Sequence, residues 1–321
     1  MTTKPARPSS WQVWLTAIRP KTLPAAVAPV LAGVALAVAH GRFRLSVALV
    51  TLATALLLQI GVNLANDAQD YQRGADDPAA RLGPPRVTAL GWRTPRQVLG
   101  AAALVFALAL LLGVYLVAVG GWPILAIGLS AIVAAWAYSG GPYPIAYHGL
   151  GEVFVLLYFG LFAVAGTYYL QTGMWHPGAW LLGLALGSLN AAILVVNNYR
   201  DLENDRRAGK GTLAVRLGPR GARGEYAFFL VLPYVLAVGA LLGGLWPRGS
   251  VLVFLTLPWA WRAWQGMRTR QGRALNPVLA QTGQLALLYA LAFAAGCVWT
   301  LRRGGSARLP RAHAGPRASA W

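Results

Sequence analysis

LATALLLQIGVNLANDAQDYQRGADD, residues 52–77, decides how the chain is read. Its first half is apolar enough to sit in lipid. Its second half holds four carboxylates, Asp67, Asp70, Asp76 and Asp77, in a chain that has only nine Asp and Glu altogether. A membrane helix that ends in such a concentration of acid needs a reason for it.

The rest of the sequence supports the lipid half of the reading. Of 321 residues 57% are hydrophobic and only 12% charged, with mean hydropathy +0.51; a soluble domain would carry roughly twice that charged fraction. Long apolar runs recur, and in lipid a helix is the structure that satisfies its own backbone hydrogen bonds. The reading is therefore all-α: a polytopic membrane protein of about nine transmembrane helices in one bundle around a cytoplasmic-facing site. The spans are expected at 12–39, 45–66, 96–119, 122–139, 150–170, 178–198, 225–245, 250–265 and 279–301, the eighth being the shortest. Residues 1–11 then form a cytoplasmic N-terminal segment, 12–301 the transmembrane domain and 302–321 a disordered basic tail.

Charge orients the bundle. With the N-terminus cytoplasmic, 20 of the 28 Lys and Arg fall on the cytoplasmic side, as the positive-inside rule requires. The net charge of +19 is thus spent on orientation, anionic headgroups and an anionic substrate, and nucleic acid is excluded as a partner. The N-terminus shows no removable signal peptide. One cysteine, Cys297, and four dispersed histidines offer no disulfide framework and no thiolate or imidazole metal site.

Seven of the nine acids lie in two short segments at the expected cytoplasmic ends of the second and sixth spans, the second segment being Asp201, Glu203 and Asp205. Asn63, Asn66, Asp67 and Asp70 follow i, i+3, i+4, i+7, one face of a helix; Asn197, Asp201 and Asp205 share a face in the same way. Two such faces turned toward each other are destabilised by repulsion unless a cation neutralises them. An all-oxygen donor set suits Mg²⁺, which is commonly held by few carboxylates together with a substrate phosphate. Arg73, Arg200, Arg206, Arg207 and Lys210 stand beside the acids, placed to take remaining phosphate oxygens. Caps, dipole partners and surface ion pairs are the plainer reading of one cluster; the pairing of two favours a site. No DDxxD run and no GxxxxGK[ST] loop occurs, and Tyr71 stands where a CDP-alcohol phosphotransferase has glycine.

NLANDAQDYQRGADD (63–77) and VVNNYRDLENDRRAGKGTLAVRLG (195–218) resemble the two aspartate motifs of the UbiA superfamily of intramembrane prenyltransferases. RPKTLPAAVAPVLAG (19–33), YSGGPYPIAYHGLGE (138–152), FAVAGTYYLQ (162–171) and LNPVLAQTGQLALLY (275–289) are similar to its 1,4-dihydroxy-2-naphthoate polyprenyltransferase branch. The resemblance runs from residue 19 to about 300. It implies nine helices and two Mg²⁺ ions held by Asp67, Asp70, Asp201 and Asp205, with Asn63, Asn66, Arg73, Asn197, Arg200, Arg206 and Lys210 at the diphosphate. The substrates implied are a polyprenyl diphosphate and 1,4-dihydroxy-2-naphthoate, joined with loss of CO₂ to give a demethylmenaquinol in a bacterial inner membrane. The superfamily's first motif, NDxxDxxxD, matches at Asn66, Asp67 and Asp70 but meets Gly74 at its last position; Asp76 follows two residues later, as in this branch, and its metal role stays open. Tyr138, Tyr143 and Tyr147 would shield the allylic cation or stack on the acceptor, an interfacial aromatic belt being the alternative. Arg81 and Arg86 would receive the acceptor carboxylate, a purely positive-inside role being the alternative. The loop GGPYPIAYHG (140–149) lacks the basic pair that hydroxybenzoate-using relatives often carry, which disfavours 4-hydroxybenzoate as acceptor. A cation transporter is the competing class, but acids and arginines crowd one membrane face rather than lining a path through it.

Overall fold

The computed structural model describes residues 8–76, 78 and 81–304; Asp77, most of the N-terminal segment and the tail beyond Gly304 lie outside them. Among the described residues there is no β-strand, and helices account for nearly everything.

The first expected span is two helices. α1 (Ser10–Ile18) opens with a capping box in which Ser9 and Gln12 exchange backbone and side-chain hydrogen bonds. It stops at Arg19, whose φ of 57° makes it, among the described residues, the one non-glycine in the left-handed region. Pro20 and Pro24 follow, and α2 (Pro24–Ala39) sets off at 48° to α1. A proline fits the first turn of a helix, where its missing N–H costs nothing, and further in it removes a hydrogen bond and crowds the preceding turn; Pro20 and Pro24, four residues apart, favour the break here, with Pro24 opening α2.

α3 (Leu45–Gln72) has 28 residues, a length of about 42 Å. That exceeds the roughly 30 Å hydrocarbon core, so its last turns, which carry Asn66 to Asp70, project past the lipid. α4 (Pro95–Gly120) begins at a Thr94–Gln97 capping box and is reversed into α5 (Trp122–Ala137) at Gly121, φ 69°. α6 (Gly151–Leu156) and α7 (Phe162–Thr172) are one span joined by a π-turn over Leu157–Leu161. There Gly160 approaches α8 (Pro177–Arg200) so closely that an added Cβ would stand 2.5 Å from the Gly183 carbonyl oxygen; small residues permit such crossings in lipid. α9 (Leu202–Arg207) is a short cap after α8. α10 (Leu213–Leu242) begins twelve residues before the expected 225, with a kink at Gly218 (φ 69°) that sets residues 213–217 off from the span proper. Residues 248–256 form a 3₁₀ helix that runs into α11 (Leu257–Thr269), and α12 (Asn276–Arg302) completes the bundle.

Six of these helices are long and apolar enough to cross a membrane, and the bent α1–α2 pair makes a seventh. α5 is apolar but shorter, and 248–269 does not qualify by length and composition, so the expected count of nine is not established among the described residues. The chain is nevertheless a multi-pass membrane protein. α8 sits at the centre: 72% of its apolar window is buried, against 22% for α3 and for α4. The main core joins α2, α7, α8, α10 and α12, while α1, the acidic-motif half of α3 and α4 form a second cluster. Outward-facing leucines, valines and tryptophans such as Leu111, Val114, Val133 and Leu242 are what a lipid-facing surface requires.

Candidate active site

α3 and α8 bring the two acidic segments together at one end of the bundle. Asp70, Asp76, Asp201 and Asp205 line one cavity of about 250 Å³ with Arg19, Arg81, Arg86, Arg207, Lys210, Asn197 and Asn204. An apolar groove of about 370 Å³ continues from it into the membrane-spanning part, and Arg19, Asp70, Arg86, Asn197 and Lys210 border both. The groove is walled by α2, α3, α5, α7 and α8, with Tyr138, Phe154, Tyr158, Phe159 and Phe162 as its aromatic lining.

Within the first motif the aspartates divide. Asp67 is only 1% exposed. Its Oδ2 accepts the Val87 N–H at 3.1 Å, and its Oδ1 accepts the Thr88 N–H at 3.0 Å and the Thr88 hydroxyl. It is absent from the cavity lining. The expectation that Asp67 holds metal conflicts with this geometry, because both oxygens are committed to fastening residues 87–88 onto α3. Asp70 does face the cavity. Its Oδ2 accepts from Arg86 Nη2 at 3.2 Å, its Oδ1 accepts from Tyr147 at 3.4 Å, and Lys210 Nζ stands 4.0 Å away. Asp76 pairs with Arg81 and, at 3.2 Å, with Arg86 Nε, so Arg86 bridges two carboxylates. Asp76 thus takes the place in the cavity wall that the motif's Gly74 cannot fill with a side chain.

In the second motif Arg200 organises its neighbours. It is buried and donates to both oxygens of Asp201, to Asn197 Oδ1 at 2.8 Å and to Asn276 Oδ1 at 2.9 Å. An added Cβ on Gly83 would lie 2.6 Å from its Nη2, which is why the 81–86 segment carries glycine there. Arg200 itself does not line the cavity, contrary to its expected diphosphate role; every guanidinium nitrogen is already used. Asn276 Nδ2 also donates to the Leu82 carbonyl and Arg273 to that of Arg81. Residues 81–88 are therefore strapped over the site from both sides.

Burial pushes the Asp205 carboxyl up to about 7, with Asp201 and Asp70 adding to the rise and Lys210 opposing it. Lys210 is held above the ordinary lysine range: burial acts to lower it, and Asp70 and Asp205 outweigh burial. Arg86 is raised by the same balance of burial against Asp76, Asp70 and Asp67. Arg81 falls to about 10 through burial and the neighbouring Arg86.

Other expected residues fall outside the cavity. Arg73 donates to the carbonyls of Ser139 and Gly141, clamping the GGPYP loop to the end of α3. Arg206 makes an exposed i,i+3 pair with Glu203. Tyr143 is 59% exposed and stacks on His148. Tyr147 does reach the site: its ring lies 5.3 Å from Lys210 Nζ and 5.4 Å from the Arg73 guanidinium carbon. Tyr138 lines the groove, as do Asn63 and Asn66. Asn63 Nδ2 is taken up by Ile18 O and Thr22 Oγ1, both 2.9 Å, whereas Asn66 Oδ1 is buried without a partner. Glu152 pairs with Asn198 at 2.9 Å. Arg19 was not singled out in the sequence; the signal was Pro20 and Pro24 inside an expected span, which place a chain break at the site.

Among the described residues no three His, Cys, Asp or Glu form a preassembled metal cage. The donor set still fits a hard cation that arrives with phosphate: four carboxylates around one cavity, Asn66 Oδ1 unpaired, and cations able to turn from carboxylate to substrate.

Residues 26–281 match the UbiA prenyltransferase family. The chain is 41% identical to the 1,4-dihydroxy-2-naphthoate octaprenyltransferase of Mycobacterium tuberculosis, over 89% of this chain and 97% of that protein. It is 39% identical to the protein of the same name from Escherichia coli, over 90% and 96%. Among solved structures, a UbiA homologue from Archaeoglobus fulgidus bound to DMAPP and Mg²⁺ superposes with TM-score 0.65 at 17% identity, covering 88% of this chain and 99% of that one. A UbiA homologue from Aeropyrum pernix K1 does so with TM-score 0.65 at 18% identity, covering 86% and 98%. With the two motifs facing one cavity and the match spanning most of its length, the chain belongs to the UbiA prenyltransferase family.

Proposed function

We propose that the protein transfers a polyprenyl chain from polyprenyl diphosphate to 1,4-dihydroxy-2-naphthoate, with loss of CO₂, giving a demethylmenaquinol. The observation that carries this reading is the continuity of a carboxylate- and guanidinium-lined cavity with an apolar, aromatic-walled groove at Asp70, Arg86, Asn197 and Lys210. A diphosphate with a long hydrocarbon tail is the ligand whose two halves match those two surfaces. The naphthoate comes from the relatives, which carry that acceptor in their names at 35–41% identity.

Asp70, Asp76, Asp201 and Asp205, with Asn66, would hold Mg²⁺, which supplies positive charge against the departing diphosphate. Lys210, Arg81, Arg86, Arg19 and Arg207 take the remaining phosphate oxygens. Tyr147, hydrogen-bonded to Asp70 and with its ring against Lys210 and Arg73, orients that carboxylate and the lysine. Tyr138 and the phenylalanines of the groove keep water from that carbon. The allylic C–O bond breaks, a C–C bond to the ring forms, and the ring carboxylate leaves as CO₂. We place the N-terminus and the site at the cytoplasmic face of a bacterial inner membrane, on the asymmetry of Lys and Arg.

Purified protein in detergent, given Mg²⁺, a polyprenyl diphosphate and either dihydroxynaphthoate or 4-hydroxybenzoate, tests the reading. Prenylated product and labelled CO₂ from the naphthoate alone support it. Product from hydroxybenzoate alone overturns the acceptor, and failure of Mg²⁺-dependent turnover with both overturns the reaction.

A further inference from the structure

Glu152 stands in the first turn of α6, 2% exposed, and lines neither the cavity nor the groove. Its Oε1 accepts from Asn198 Nδ2 at 2.9 Å, and its Oε2 is buried with no partner. Burying an acid with one oxygen unpaired is costly. An ionisable residue in an apolar span points to function through the partner it holds.

That partner stands on the groove wall. Asn190, Ile193, Leu194, Asn197 and Asn198 follow i, i+3, i+4, i+7, i+8 along α8, and all five line the groove. Asn198 precedes Asp201 by one helical turn, about 5 Å, so it lies at the groove's polar end. Unlike Asn197, it does not line the carboxylate cavity. A carboxamide has nearly the same shape either way round, and its hydrogen bonds decide which end goes where. With Nδ2 spent on Glu152, Oδ1 is the end left to the groove. Asn198 Oδ1 is not among the buried side-chain oxygens that lack a partner; it is open to a ligand. The Tyr138 hydroxyl belongs to the same stretch of wall. A Cβ on Gly151, the residue before Glu152, would stand 3.1 Å from the Tyr138 hydroxyl oxygen and 3.0 Å from Leu194 Cδ2, so glycine at the start of α6 lets the phenol meet α8 there. Tyr138 lines the groove, and its hydroxyl is likewise not among the buried, unpartnered atoms.

An amide oxygen only accepts, and a phenol has one proton to give. The ligand group that matches the pair is a hydroxyl, which donates to the one and accepts from the other. A prenyl tail does neither, and the amide oxygen repels phosphate oxygens. We infer that Glu152 is a positioning residue that turns Asn198 Oδ1 into the groove, where Asn198 Oδ1 and the Tyr138 hydroxyl together bind the 4-hydroxyl of the aromatic acceptor. This rests on the acceptor proposed above and adds which atoms recognise it. The 4-hydroxyl is the one concerned, because the 1-hydroxyl stands beside the carboxylate and gives its proton to that group within the molecule.

The test compares two ligands that differ only in that hydroxyl, 1,4-dihydroxy-2-naphthoate and 1-hydroxy-2-naphthoate. Dissociation constants are measured by anaerobic isothermal titration calorimetry on purified protein in detergent with Mg²⁺ and inorganic pyrophosphate. Wild type, Glu152→Gln, Glu152→Met and Asn198→Leu are compared, and wild-type turnover of the dihydroxynaphthoate is assayed alongside. Wild type should bind the dihydroxy compound at least about tenfold more tightly than the monohydroxy one. Glu152→Gln, which keeps an acceptor for Asn198 Nδ2, should hold that ratio within about twofold of wild type, whereas Glu152→Met and Asn198→Leu should reduce it to about twofold or less. A general structural defect weakens both ligands alike and leaves the ratio unchanged. Equal binding of the two ligands by wild type overturns the inference, whichever variants fold. A ratio that survives in Asn198→Leu or in Glu152→Met overturns it as well, and so does a ratio lost in Glu152→Gln. Wild type and Asn198→Leu carry the test should Glu152→Met fail to fold. In every case wild-type turnover of the dihydroxynaphthoate leaves the proposed reaction standing; absence of that turnover overturns both.

Discussion

Asp67 Oδ1 accepts the Thr88 backbone N–H at 3.0 Å, so the first aspartate of the motif fastens a loop to α3. Asp67→Ala strands the buried N–H groups of Val87 and Thr88, at a cost of about 3 kcal/mol. The expected outcome is a lower Tm by tryptophan fluorescence in detergent. Asp67→Asn, which keeps one acceptor oxygen, should leave the half-saturating Mg²⁺ concentration of the residual activity within about twofold of wild type, whereas Asp70→Asn should raise it at least about tenfold. Equal shifts in the two variants would return Asp67 to the metal site.

Lys210 and Arg206 were equivalent in the sequence, four residues apart and beside the same acids. The structure buries Lys210 against Asp70 and leaves Arg206 on an exposed pair with side chains 50% and 66% accessible. Exposed pairs of this kind are worth little. Arg206→Ala should therefore keep the KM for polyprenyl diphosphate within about twofold. Lys210→Ala should raise it at least about tenfold, since a buried charge-assisted phosphate contact is lost.

The Asp205 carboxyl gives a pH dependence whose sign follows from its elevation to about 7. A carboxyl raised above its unfolded value binds its proton more tightly in the folded state. Its contribution to stability is present at low pH and is lost as pH rises through the folded value. In EDTA, wild type should lose about 1.4 kcal/mol between pH 6 and pH 8 relative to Asp205→Asn, by denaturant unfolding. No change in relative stability over that interval would show that the carboxyl is already ionised in the metal-free fold.

How much was legible in the sequence follows the physics of each residue. The membrane class and the two-motif pairing were readable because lipid burial and acid clustering leave marks in composition and spacing. Asp67 and Asp70 share a helical face, and spacing alone cannot tell which carboxylate meets the cavity and which meets the 87–88 backbone. Arg73, Arg200 and Arg206 all sit beside acids in sequence, but Arg73 turns to the Ser139 carbonyl, Arg200 adds Asn276 to its pair with Asp201, and Arg206 keeps only the exposed Glu203. Those choices are made by tertiary packing. The break at Arg19 was marked by Pro20 and Pro24 inside an expected 28-residue span, a local conflict between apolarity and proline chemistry.

Gly128 and Gly166 line the groove on α5 and α7. A Cβ at Gly128 would meet nothing within 4 Å, and one at Gly166 only Ile127 Cδ1 at 3.9 Å. Both positions therefore accept a side chain without disturbing packing, and any bulk added there enters the space assigned to the prenyl tail. Gly128→Leu and Gly166→Leu should fold with near wild-type Tm. They should discriminate by substrate length: kcat/KM for geranyl diphosphate within about twofold of wild type, and for a long polyprenyl diphosphate reduced at least about fivefold, since a methylene's worth of displaced contact is about 1 kcal/mol. The comparison of two chain lengths in one variant separates a blocked groove from a damaged diphosphate site, which would slow both substrates alike. If the two lengths are slowed equally, the tail runs elsewhere, and the aromatic-walled groove between α5 and α7 is not its path.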